Sequence, residues 1–146
     1  IHIRRGAYSK DAESIGHHGL DENGNINKPY FVSDSGLEKF EDIIKQSDKK
    51  FFLASDSKEL KNILKTKYPD KIVTLDHDIS FTYEDDILKN YGIPEETIYA
   101  CYLDWFLLSK CKNLYVSAGN EDMCSLSTFG YSAGAYGNSD VYIILN

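Results

Sequence analysis

The chain has 146 residues, 42% of them hydrophobic and 27% charged, with a formal net charge of -7. That profile fits one globular domain with a packed core. The acidic balance argues against a nucleic-acid surface, because phosphate tracking needs a basic patch. The longest apolar runs, WFLL and VYIIL, are far too short to span a bilayer, so no membrane contact is visible in this segment.

The chain opens IHIRRG, which reads as the tail of a strand. It does not begin with Met and starts in mid-strand, so a fragment of a longer protein is expected. Residues 6–32 read as a long polar loop rich in Gly, Asn and Asp. Ser33 or Asp34 is placed to cap a helix running to about residue 47, with Leu37, Phe40, Ile43 and Ile44 on one face. FFLAS (51–55) is a short apolar strand. Asp56 or Ser57 then caps a helix to about Tyr68, with Leu60, Ile63 and Leu64 inward. KIVTL (71–75) is the next strand, followed by a polar stretch. A helix from about Glu95 to Lys110 sets Ile98, Cys101, Tyr102, Trp105, Leu108 and Ser109 at helical spacing. NLYVS (113–117) is a strand, STFGYSAGAYG begins a helix capped by Ser127 or Thr128, and VYIIL closes as a strand.

Apolar strands alternating with amphipathic helices imply a parallel sheet covered on both faces. The expected fold is α/β, a Rossmann-like doubly wound parallel sheet. Ligands of such sheets lie beyond the carboxyl ends of the strands, which directs attention to four places.

After the first strand stand Arg4 and Arg5, the only arginines in the chain. A guanidinium forks onto phosphate oxygens, which lysine cannot do. Alternation along the strand puts His2 and Arg4 on one face and Arg5 on the other; a plain surface arginine pair is the competing reading. After FFLA comes Ser55-Asp56-Ser57, whose acid can accept from a base or from ribose hydroxyls, or simply cap the next helix. After LYVS, the helix start at Ser127-Thr128-Phe129 offers hydroxyls and backbone N–H groups to an anion, or is again only a cap. After IVTL, Asp76, His77 and Asp78 are adjacent on an extended chain and do not converge, so no metal centre is expected. His17 and His18 fall in the polar loop and read as solvated. Cys101, Cys111 and Cys124 form no CxxC and read as buried thiols; the first two would lie about 15 Å apart on one helix, too far to bridge. Arginines, an acid and a hydroxyl-rich helix start on one rim suit a nucleoside diphosphate.

At these residues the chain resembles the GDP-fucose-dependent fucosyltransferases of the α-1,2 and α-1,6 type. IHIRRG is similar to their HxRRxD motif. FFLASDSKELKNILKTKYP resembles their strand, Ser/Thr-Asp pair and helix, with KTKYP closest to the core α-1,6 enzymes. LDWFLLSKCKNLYVS with LSTFGYSAGAYG resembles their closing motif. The resemblance spans nearly the whole chain, in order. It implies the nucleotide-binding half of a GT-B fold, residues 1–146 being a single nucleotide-sugar-binding domain whose acceptor-binding half is absent and expected upstream. It implies an inverting, metal-independent transfer of fucose from GDP-fucose to a glycan or protein acceptor, with no cofactor. By position, Arg4 matches the arginine that holds the donor diphosphate and supports departure of GDP, and Arg5 the second motif arginine. His2 and Asp56 match residues that contact guanine, and Ser127, Thr128 and Phe129 match the closing motif near the nucleotide. One departure stands out: Ala7 occupies the place of the motif's Asp. It favours the alternative of a non-catalytic nucleotide-diphosphate module. A flavodoxin-like or response-regulator-like interaction domain, the third reading, predicts an acidic rim, and Arg4-Arg5 opposes it.

Overall fold

A computed structural model of the chain describes residues 1–5, 32, 34–77, 95–118 and 126–145. The strands are β1 (His2–Ile3), β2 (Phe51–Phe52), β3 (Ala54–Ser55), β4 (Ile72–Val73), β5 (Asn113–Ser117) and β6 (Asp140–Ile144). The helices are α1 (Asp34–Gln46), α2 (Lys58–Lys67), α3 (Glu95–Leu108) and α4 (Thr128–Gly137). The expected loop over residues 6–32 lies outside the described residues except at Val32, as do Ser33, Ala7, His17, His18, Asp78 and Cys124.

The expected α/β order holds, and every strand pairing is parallel. A four-stranded sheet runs β3-β1-β5-β6, and β2 pairs with β4. The run FFLAS is divided at Leu53: Phe51 and Phe52 pair outward to β4, while Ala54 and Ser55 pair inward to β1. The Leu53 N–H still donates to Val73 O at 2.8 Å and the Ala54 N–H to Ile1 O at 3.0 Å, so the run joins the two ladders. The chain therefore builds outward from β1 through β3 to β4, then returns to lay β5 on the other side of β1. This is the strand order of a Rossmann-like sheet, with its crevice where the order reverses, between β1 and β5.

Strand alternation sorts the core into two layers. Ile1, Ile3 and Leu53 pack with Phe40 and Ile44 of α1 and Leu60 and Leu64 of α2. Ala54, Leu114 and Val116 pack with Leu108 of α3 and Ala133 of α4. Two helices on each face make the sheet doubly wound, as the alternation of elements implies. The turn from α4 into β6 is tight. Asn138 takes φ 53° at the helix end, and the Ser139 N–H closes onto Gly134 O at 2.9 Å.

Two helix faces and the cysteines differ from the sequence reading. In α2, Ile63 is 50% exposed while Lys61 is buried. In α3, Ile98 and Tyr102 are exposed, and the line facing the sheet is Ala100, Asp104 and Leu108. That helix is apolar all round, so the 3.6-residue period marks no single face. Cys101 and Cys111 are half-buried rather than buried, and neither is in a disulfide.

Candidate functional site

The carboxyl end of β1 is held from both sides by its neighbours. The Arg4 N–H donates to Ser117 Oγ, at the end of β5, at 3.0 Å. The Arg5 N–H donates to Asp56 Oδ1, just past β3, at 2.7 Å. The Arg4 carbonyl accepts from the Val32 N–H at 2.9 Å. Asp56, which the sequence offers as a ligand, thus also fixes the arginine backbone. The Ser57 Oγ, not Asp56, caps α2 by accepting from the Leu60 N–H at 3.2 Å.

The two arginines part as alternation requires. The Arg5 guanidinium turns to the α1 side and donates to Val32 O at 2.6 Å and to Asp34 Oδ1. Its side chain is 13% exposed, so this is a structural brace. Arg4 shares the opposite side with His2, whose imidazole feels the Arg4 charge. The His2 ring lies 5.1 Å from Phe129, centroid to centroid. A Cβ at Gly130 would come within 2.9 Å of His2 Nδ1, so only glycine lets the first turn of α4 approach this closely. His2 Nδ1 is buried with no hydrogen-bond partner among the described residues.

Ser127 stands at the N-cap of α4, but its Oγ makes no capping bond. Its N–H donates to Ser117 O at 3.1 Å, which anchors the helix start to the end of β5. Thr128 is exposed and Phe129 half-buried. The amino end of α4, with its partial positive charge, thus opens beside Arg4 and His2. An anion at that position meets helix N–H groups and a guanidinium together.

Sequence reasoning passed over a second polar group at the end of β4. Lys61 is 2% exposed, and its Nζ donates to the carbonyls of Leu75 at 3.2 Å and His77 at 2.6 Å. It ties down the chain leaving β4. There His77 Nε2 comes within 3.2 Å of Asp104 Oδ1. Asp104 is 1% exposed, with His77 as the partner of its Oδ1. Burial raises its pKa, while His77 and Lys61 pull it back. A single carboxylate inside the apolar run YACYLDWFLL was the available signal, since burying an acid costs free energy unless a partner offsets it. Among the described residues, no group of three His, Cys, Asp or Glu side chains converges on a metal position.

Burial, with the Arg4 charge beside it, pushes the His2 pKa down from 6.5 to about 3. The unfolded chain therefore binds a proton that the folded chain refuses between those values. Stability should be full above about pH 6.5 and fall on acidification, by at most about 1.4 kcal/mol per pH unit. His2→Phe should remove this slope. Urea midpoints of parent and variant across pH 4–8 check it, with parallel curves counting against a buried neutral His2.

No family model matches the chain, and neither the curated proteins nor the solved structures compared with it yielded a match.

Proposed function

We propose that the chain binds a nucleoside diphosphate sugar, as the donor half of an inverting, metal-independent glycosyltransferase that takes fucose from GDP-fucose. The observation that carries this reading is the pinned Arg4 backbone at the strand-order reversal, beside His2 and the amino end of α4. In this reading the diphosphate lies against the first turn of α4, with the Arg4 guanidinium forked on its oxygens. Charge grows on the β-phosphate as the sugar departs, and a fixed cation stabilises that charge more than the ground state. The resemblance of IHIRRG and the closing motif to fucosyltransferases narrows the nucleotide to GDP and the acceptor to a glycan or protein.

In this reading Asp56 meets the guanine N1–H and N2–H groups; its Oδ1 also accepts the Arg5 N–H.

GDP should bind more tightly than UDP or ADP, and EDTA should leave its affinity unchanged. Asp56→Asn should weaken the preference for GDP, at a cost of about 1–3 kcal/mol, and leave the melting temperature in place, because Ser57 holds the cap and the Asn Oδ1 still accepts the Arg5 N–H. Calorimetry with the three nucleotides, with and without chelator, decides these points. Equal affinities in the parent, or a requirement for Mn²⁺, would sink the reading.

A further inference from the structure

Helix α3 carries a second apolar stripe, opposite the one that faces the sheet. Tyr99 is 67% exposed, Tyr102 70%, Leu103 47% and Phe106 45%. Their spacing of i, i+3, i+4 and i+7 is the seam of a helix built to meet another helix. Across the groove to α4 the stripe is widened by an aromatic row, in which Trp105 lies 6.1 Å from Tyr102 and 5.0 Å from Tyr136. A helix that is apolar all round belongs in a buried setting, and a large apolar patch with a polar rim marks an interaction site.

The ends of the stripe say what covers it. At 100° per residue Glu95 lies on the same stripe one turn before Tyr99, and Lys110, in the turn just past the end of α3, reaches back to the stripe at Phe106. Both are exposed, and the Lys110 Nζ sits 4.6 Å from the centre of the Phe106 ring. The stripe is therefore acidic at its start, apolar in the middle and basic at its end, which makes it complementary to its own antiparallel copy. A twofold axis between positions 102 and 103 sets Glu95 of one copy opposite Lys110 of the other. The same axis sets Tyr99 opposite Phe106, and Tyr102 opposite Leu103. Parallel copies would oppose Glu to Glu and Lys to Lys. The antiparallel arrangement also opposes the helix dipoles.

We propose that α3 is a self-pairing surface, through which two copies of the chain associate by antiparallel α3 helices about that twofold. Such an interface is isologous and closes as a dimer. Tyr102 lies at its centre, where aromatic anchors dominate affinity. The proposal is independent of the nucleotide reading.

Sedimentation equilibrium of the full chain tests it. The parent should show a monomer–dimer equilibrium. Tyr102→Glu should raise the dimer dissociation constant by at least about thirtyfold, the ratio set by a central aromatic hot spot, while far-UV circular dichroism stays that of the folded chain. Lys110→Glu should weaken the dimer, and the double variant Glu95→Lys with Lys110→Glu should restore it, because the swap preserves every opposed pair. A parent that stays monomeric overturns the proposal, including the case in which Tyr102→Glu lowers the melting temperature because another segment of the same chain covers the stripe. A dimer indifferent to Tyr102→Glu, or a double variant without rescue, overturns it as well.

Discussion

Arg4→Lys is expected to weaken GDP binding by about 1.5–3 kcal/mol, the range for hydrogen bonds to charged groups, with the melting temperature unchanged. The charge remains, but the fork that matches two phosphate oxygens is lost. The Arg4 backbone bonds, to Ser117 Oγ and from Val32, do not depend on the side chain. Arg5→Lys is expected to do the opposite. Its guanidinium spans Val32 O and Asp34 Oδ1 from a position only 13% exposed. One ammonium cannot hold both with the same geometry, so stability should fall by about 1–2 kcal/mol while GDP affinity changes little. If the chain serves the proposed fucose transfer, Arg4→Lys should also depress the transfer rate beyond its effect on donor binding, since the lost interaction strengthens as charge builds on the leaving diphosphate. Calorimetry, thermal melting and transfer rates on the two single variants check the split. If Arg4→Lys binds like the parent, the diphosphate clamp is refuted, and with it the main support for the fucosyltransferase reading.

Gly137→Ala is expected to destabilise the protein by about 2 kcal/mol or more. Alanine is the better helix former, by about 1 kcal/mol. A Cβ at this position, however, would stand 1.9 Å from the Ser109 carbonyl oxygen and 2.7 Å from its carbon. The obstacle is backbone at the end of α3 and cannot swing aside as a side chain would, so the cost reaches the upper end of overpacking, about 3 kcal/mol or more. The clash outweighs the propensity gain. The affected joint also carries the Ser139 Oγ bond to Cys111 O at 2.6 Å and the Asp140 N–H bond to Lys112 O at 2.9 Å. Urea unfolding measures the loss. An unchanged midpoint would mean that α4 slides freely over α3.

The order of elements was legible because strands and helices here differ in pattern. LYVS and FFLA are short and apolar, and DSGLEKFEDIIKQ repeats its apolar residues at helical spacing, with Phe40 and Ile44 fully buried as read. The separation of Arg4 from Arg5 was legible for a similar reason, since alternation at a strand end needs only counting. The face of α3 was not, because side chains that are apolar on every side carry no phase. Nor was Lys61. A lysine on an amphipathic helix reads as solvated, and only the folded chain shows the Leu75 and His77 carbonyls waiting for it. The break at Leu53 escaped because pairing partners, not composition, decide on which side a residue bonds.

The position of β1 has a consequence for how the chain folds. This strand is two residues long, and its fastenings come from far along the chain: Asp56 is 51 positions from Arg5, and Ser117 is 113 positions from Arg4. Contacts of that separation close large loops before they return any stability, and parallel sheets built from them fold slowly. During synthesis the first strand must therefore wait until residue 117 has left the ribosome, with an unpaired edge open to other chains. The rim that presents Arg4 exists only once β5 is in place. If a diphosphate binds there as proposed, it stabilises the finished sheet and none of its predecessors, so added nucleotide should slow unfolding without speeding the assembly that precedes it.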